Sequence, residues 1–254
     1  MKIRFVTPPA AKQIGGIENA VEGLRQALQQ RDISVEQGGD PSDALAIHHF
    51  HGLWDRSHSR LASELRKLGR PYIVSPHGML EPWALHHRRW KKVPYFHLIE
   101  RRYLVGAASL FVTSGMEEEH LGRVLYHPRV EVLPLGCRDR RSPDYLSARK
   151  SVGWSGAERI MLFLSRIDPK KGLDNLLRAL QISDCDWTSW RFVVVGDGSP
   201  AYVALLKSMA NGVAEKLPII EWVGPMWGEA RWSYLQGADL FCLPLILKTS
   251  ESLF

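Results

Sequence analysis

Apolar residues fall along this chain in two alternating rhythms: short continuous runs, and longer stretches where they recur every third or fourth position. A short apolar run bounded by charge or turn residues predicts a buried strand, and the longer spacing predicts a helix with one face laid on it. Ile3-Arg4-Phe5-Val6 is the first run, ended by Pro8 and Pro9. The Gly15-Gly16 turn then opens a helix with Ile17, Ala20, Val21, Leu24 and Leu28 on one face. Further strands are predicted at 44–47, 72–74 and 109–113, the last followed by the helix MEEEHLGRVL, and the run 130–136 closes this first half. The rhythm resumes with strands at 160–164, 191–195, 219–223 and 239–243 and helices at 173–180, 201–210 and 228–235. Strand, glycine turn, helix is the opening of a Rossmann-like α/β half, and it occurs twice. The polar stretch between Arg138 and Gly156 reads as a linker, which puts the domains at 1–150 and 151–254.

Composition narrows the class without deciding it. The chain has 254 residues, 45% hydrophobic and 24% charged, as in an ordinary globular protein. Cys137, Cys185 and Cys242 are far apart and show no C-x-x-C spacing, so no disulfide framework or zinc site is indicated, which fits a reducing cytoplasm. No apolar run is long enough for a secretory signal or a membrane span. The net charge of +6 favours anionic partners in general.

The candidate chemistry lies at strand ends. Ser165-Arg166-Ile167-Asp168-Pro169-Lys170-Lys171-Gly172 follows a strand and precedes a helix, so Arg166 sits at a strand's carboxyl end and Lys171 near a helix start. Free amides and two fixed cations there favour a diphosphate; two solvated cations in a loop are the plainer account. His77, between Pro76 and Gly78 after the third strand, occupies the place where open α/β sheets bind ligands. Gly16 and Gly196 are at turns where a ligand could approach the backbone closely. His48, His49 and His51 suggest a metal cluster, but strand alternation separates them and no carboxylate or cysteine completes a shell; no metal is expected, and His51-Gly52 is placed at a cleft rim. Residues 81–105 interleave Trp83, Trp90, Tyr95, Phe96 and Tyr103 with His86, Arg88, Arg89, Lys91, Lys92, Arg101 and Arg102. Such a stretch can lie on anionic lipid, grip nucleic acid, or be a solvated helix face over a core. Glu117, Glu118 and Glu119 read as a solvated helix start.

Taken together, SRIDPKKGLDNLLRAL, QIGGIENAVEGL, HHFHGLW, SPHGMLEPWAL, VLPLG, VVVGDG and VGPMWGEARWSYLQGADLFCLP resemble, in order, the motifs of the GT4 glycosyltransferases, especially those that build bacterial exopolysaccharide. The resemblance implies a GT-B fold: two Rossmann-like domains facing a cleft, the first on the acceptor side and the second on the nucleotide-sugar side. It implies transfer of a hexose, with retention, from a UDP- or GDP-linked sugar to a saccharide or lipid-linked acceptor, without metal. His77, Arg166 and Lys171 are the catalytic candidates it supplies, and Gly16, Arg166, Lys171, Gly196, Met226 and Glu251 the donor-binding ones. Lipid-linked acceptors also make an anionic membrane surface a more natural partner than nucleic acid, and a peripheral cytoplasmic location follows.

After ADLFCLP the family pattern breaks. Glu251 stands about three residues too far from Pro244 to match the family glutamate without an insertion, and the helix and strands that follow it in the family have no counterpart. The second domain is therefore expected to be incomplete. An inactive remnant that only binds a membrane or a nucleotide, or a basic nucleic-acid binder, are the alternatives.

Overall fold

The structure, a computed structural model, describes residues 1–8, 15–86, 89–136, 144–211, 217–228 and 230–245. Near residue 140 the chain divides into two compact units, each built on one parallel sheet.

The first unit contains β1 (Lys2–Val6), α1 (Gly15–Gln29), β2 (Ser34–Gln37), β3 (Ala46–His51), α2 (Arg56–Lys67), β4 (Tyr72–Ser75), β5 (Ser109–Val112), α6 (Gly115–Val124) and β6 (Val130–Val132). Its sheet runs in the order β2-β1-β3-β4-β5-β6, every pair parallel. Phe50, Leu65, Tyr72, Val74, Leu104 and Leu110 are buried in its core. Strand β2 escapes the hydrophobic pattern because it is an edge: its sequence is SVEQ, and Glu36 within it pairs with Lys2 at 2.9 Å and Arg4 at 2.8 Å on β1.

Strand β3 begins and ends later than its apolar run. It continues through His48, His49 and His51, all of them buried, so His51 belongs to the core and not to a rim. These rings pack as aromatics: His49 and His51 have centroids 4.1 Å apart, and Phe5 meets His51 edge-on at 4.7 Å. Each finds a polar partner, His48 Nε2 at 3.0 Å from the Asp40 carbonyl oxygen and His49 Nε2 at 2.8 Å from Ser75 Oγ. Burial disfavours the charged ring and pushes the His49 pKa down to about 3.

The aromatic and basic segment folds as α3 (Pro82–His86), α4 (Arg89–Tyr95), a π-helical turn (Phe96–Glu100) and α5 (Arg101–Val105). Pro94 lies inside α4, where it lacks an amide proton and its ring crowds the carbonyl one turn back. A wider π turn, Phe96–Glu100, follows immediately after it. The turn carries Glu100 into the core, 1% exposed, where Oε1 accepts the Trp54 amide at 3.0 Å. Desolvation raises its pKa to about 7 from an ordinary 4.5.

The second unit contains α7 (Tyr145–Ser151), β7 (Arg159–Leu164), a 3₁₀ turn (Pro169–Lys171), α8 (Leu173–Ile182), β8 (Trp190–Val195), α9 (Pro200–Asn211), β9 (Ile219–Gly224), α10 (Ala230–Gly237) and β10 (Leu240–Phe241). The strand order is β10-β7-β8-β9, again parallel. Part of the stretch read as a linker is α7, and it packs against α10 inside this unit. Arg149 fixes it there. At 1% exposure its guanidinium donates to Gly237 O at 2.9 Å, Ser155 O at 2.6 Å, Tyr145 Oη at 2.7 Å and Asp239 Oδ2 at 3.2 Å. Asp239 in turn accepts the Ile160 amide at 2.6 Å, so the network reaches the start of β7. The domain division therefore falls ahead of α7, and not at Ser151 as read from polarity.

Two stability predictions follow from these buried charges. Arg149→Ala strands the carbonyls and Asp239, and is expected to cost about 3 kcal/mol of unfolding free energy, measured by urea titration. Glu100 binds its proton more tightly in the folded state than in the unfolded one, so it loses stability as pH rises from its unfolded 4.5 through its folded value of about 7. Glu100→Gln should remove that loss: near pH 8 the variant is expected to be more stable, by on the order of 3 kcal/mol, and the difference should vanish near pH 4. Equal melting curves at both pH values would contradict the assignment.

Candidate functional site

In the second unit the candidate site grows from the ends of β7 and β8. Beyond their sheet the two backbones remain in contact: the Ile167 amide donates to Asp197 O at 2.6 Å, and Ile167 bridges Gly198 in parallel. Gly196 has φ +148°, and a Cβ there would stand 1.9 Å from Ser165 O; one at Gly198 would stand 2.0 Å from Ile167 O. Both glycines are thus required by the neighbouring backbone. Gly196 also donates to Gly224 O at 2.8 Å, which joins the end of β9 to the same loops.

Ile167 points into the core at 3% exposure, and Arg166, on the opposite side of the extended backbone, is exposed. Asp168 then caps the 3₁₀ turn, its Oδ1 accepting the Lys170 amide at 3.0 Å, and Gly172 at φ +65° turns the chain into α8. Leu173, Leu177 and Leu180 bury one face of α8 against the core. Lys171 is held half-buried between these features, and its pKa is lowered by desolvation first, then by Lys170 and Arg166. Arg166 and Lys171 are thus brought together, with Gly196 beside the same strand extension. Met226 follows β9 and packs, partly buried, on the cluster of Trp154, Ile160 and Val195. Glu251 lies outside the described residues.

In the first unit, His77 and Gly78 form a left-handed turn after β4, with φ +54° and +70°. A histidine tolerates that region only at some cost, on the order of 1 kcal/mol. The turn is held by a carboxylate that the sequence reading placed in solvent. Glu117 is 3% exposed; Oε1 accepts the Gly78 amide at 2.6 Å, and Oε2 accepts both the amide and the hydroxyl of Thr113 at 2.7 and 2.6 Å. Ser114 and Glu117 have the S-x-x-E spacing of a capping box, and Ser114 Oγ does accept the Glu117 amide at 3.2 Å. That spacing was the available signal for a buried role. His120 of α6 also meets Glu81 at 2.5 Å, so the turn is tied to α6 at two points.

His77 Nε2 lies 3.1 Å from His51 Nδ1, and the two rings stack at 5.3 Å. Desolvation lowers the His77 pKa while Glu117 raises it, with burial the larger effect, so the ring is neutral at pH 7. Its Nδ1 is left without a partner among the described residues. Gly16 sits in the first turn of α1. Among the described residues no three His, Cys, Asp or Glu side chains are placed to share a metal ion.

Two family descriptions together match most of the sequence: "Glycosyl transferase 4-like domain" over residues 18–136 and "Glycosyl transferases group 1" over residues 145–253. The chain belongs to the GT4-type, group 1 glycosyltransferases. Its fold is GT-B. Anabaena HepE, crystallised with UDP-glucose, aligns with a TM-score of 0.67 at 16% identity over 96% of this chain and 74% of its own. Sucrose-phosphate synthase from Thermosynechococcus elongatus aligns with a TM-score of 0.59 at 19% identity, over 94% of this chain and 57% of its own. In sequence, this GT4-type chain is 28% identical over 123 residues to a GDP-mannose-dependent monoacylated alpha-(1-6)-phosphatidylinositol monomannoside mannosyltransferase of Corynebacterium glutamicum. That match covers 46% of this chain and only 31% of the relative.

The Glu117 clamp gives a prediction that needs no substrate. In Glu117→Gln one of the three donors now faces an amide NH₂, which should cost about 1–3 kcal/mol of stability. Loss of the carboxylate charge should also lower the His77 pKa further, read from the imidazole proton titration by NMR. An unchanged His77 titration would show that the clamp does not act on the ring.

Proposed function

We propose that this chain transfers a hexosyl group from a nucleoside-diphosphate sugar to a hydroxyl of a saccharide or lipid-linked acceptor in cell-surface glycan or exopolysaccharide assembly. The observation that carries the reading is the pair Arg166 and Lys171, held at the end of β7 by backbone contacts that leave a cation exposed and a lysine partly stripped of water. As the bond from the anomeric carbon to the leaving oxygen opens, negative charge grows on the diphosphate. Arg166 and Lys171 would neutralise it, and removal of one such fixed group typically costs about 10²–10³ in kcat.

The Gly196 turn would border the diphosphate, Gly16 would be the close-approach glycine of the first unit, and Met226 would border the base. Neutral His77 would hold a hydroxyl of the transferred sugar or of the acceptor through Nδ1. Glu251 would hold donor ribose or sugar. Retention of configuration rests on the family likeness. The relatives differ in donor, UDP-glucose for HepE and GDP-mannose for the mannosyltransferase, so both bases belong in the test. Among the described residues no helix is long and apolar enough to cross a membrane, in keeping with a peripheral place at the cytoplasmic membrane face.

Calorimetric titration with UDP and with GDP tests the site. One of them should bind, and Arg166→Ala and Lys171→Ala should each weaken it at least tenfold. Lys171 has a lowered pKa when free and gains an anion when bound, so affinity should fall as pH rises through the free-state value, below its ordinary 10.5. Lys171→Ala should flatten that fall. Equal diphosphate affinity in the wild type and Arg166→Ala would overturn the assignment.

A further inference from the structure

Behind the His77 turn three imidazoles stand in a row. His49 and His51 have centroids 4.1 Å apart, and His51 stacks on His77 at 5.3 Å with 24° between the ring planes. His49 and His51 are two residues apart on β3, hence on one face of the strand. The row starts in the core, where Phe111 meets His49 edge-on at 5.6 Å, and it ends at the half-buried His77. His49 is accounted for by its bond to Ser75 Oγ at 2.8 Å. The bond between His51 and His77 has a consequence for the chemistry of the outer ring.

The contact of His51 Nδ1 with His77 Nε2, 3.1 Å long, has room for one proton. Both rings are neutral, burial being the main cause that disfavours charge on each. In a neutral imidazole one nitrogen donates and the other accepts, so the choice made at this contact passes through both rings. If His77 Nε2 carries the proton, His51 Nδ1 accepts, and the proton of His51 sits on its Nε2. If His51 Nδ1 carries it, His77 Nε2 accepts, and the proton of His77 sits on its Nδ1.

The core decides between the two. His51 is 1% exposed, and its Nε2 is buried with no hydrogen-bond partner among the described residues. An N–H stranded there is the less favourable outcome, because orphaned donors in protein interiors are rarer than orphaned lone pairs. The proton therefore belongs on His51 Nδ1. The His77 ring has little freedom to turn away from it, since Glu117 accepts the Gly78 amide at 2.6 Å and fixes the turn that carries the ring. We infer that His51 is a positioning residue that keeps His77 in its Nδ1–H form, so that the ring offers a hydrogen-bond donor to a sugar oxygen and does not act there as a base. The sugar in that statement rests on the proposed hexosyl transfer; the Nδ1–H form does not. His77 would then orient a hydroxyl through its oxygen and leave the hydroxyl proton to another group.

Histidine nitrogen NMR of the ligand-free protein tests it, because a bare imidazole nitrogen resonates far downfield of one that carries a proton. His77→Asn, a residue that suits a left-handed turn, identifies the His77 signals by their loss. In the wild type the Nδ1–H form of His77 should exceed the Nε2–H form roughly tenfold. A dominant Nε2–H form would overturn the inference whether or not any His51 variant folds. His51→Phe keeps a ring in the stack but removes the donor, and should move His77 largely to Nε2–H, the form that free histidine favours in water. His49→Phe disturbs the same stack but removes a bond to Ser75, and should leave the His77 ratio within about twofold of the wild type. A ratio that His51→Phe leaves unchanged, or that both variants shift equally, would mean that His51 does not set the form. None of these spectra needs a nucleotide or a sugar, so a failure here and a failure of diphosphate binding are separately visible.

Discussion

The constraint on which the second unit depends is a backbone contact. Past the end of their sheet, the strand continuing to Ile167 and the one continuing to Gly198 run so close that a single Cβ on either Gly196 or Gly198 would overlap a carbonyl oxygen. The contact fixes the phase of the first segment: Ile167 must enter the core, so Arg166 must face the other way. It also fixes where the 3₁₀ turn begins, because Asp168 caps that turn one residue later. The positions of Arg166 and Lys171 are thus consequences of two missing side chains, and the leucines of α8 hold the result in place. Glycine in such a turn is usually explained by room for a ligand; here the protein's own backbone already uses that room.

The first unit solves the same problem with a side chain. Its loop after β4 is left-handed at a residue that is not glycine, and nothing in the backbone alone would keep His77 there. The strain is on the order of 1 kcal/mol, whereas three hydrogen bonds to a buried carboxylate, each charge-assisted, contribute more than that. Glu117 therefore decides the conformation. Because Glu117 comes from α6, the turn is specified by a residue 39 positions away in the chain and not by its own local preferences.

That difference explains what the sequence displayed and what it hid. The alternation of apolar runs with amphipathic stretches made the two parallel units legible, because burial of each strand leaves a direct trace in residue type. The segment SRIDPKKG was legible for a related reason: turn residues and cations occur together at a strand end. Strand β2 was hidden because an edge strand paired through Glu36 needs few apolar residues. The extent of β3 was hidden because its histidines are neutral aromatics in the core, and a one-letter code that counts histidine as polar marks the strand's end too soon. Helix α7 was hidden for the opposite reason. It buries only Ala148 and Arg149, and Arg149 is satisfied by the carbonyls around it, so a docked helix carries the composition of a linker. Glu117 was misread because the capping-box spacing was visible but its second partner, Gly78, was far off in sequence.

The protonation states of the two strand-end loops also differ. His49 and His51 are stripped of water and neutral, and His77, despite the carboxylate beside Gly78, stays below its ordinary pKa. A neutral imidazole can orient a hydroxyl through one lone pair or one N–H, but it brings no charge to a diphosphate. The cations that could do so are in the other unit: Arg166 and Lys171, the latter with a pKa lowered mainly by desolvation. Each unit's strand-end loop is held by bonds within that unit. A change that restored water around His51 would favour its charged form, and a cationic ring there would oppose a proton on His77, whose Nε2 lies 3.1 Å from His51 Nδ1.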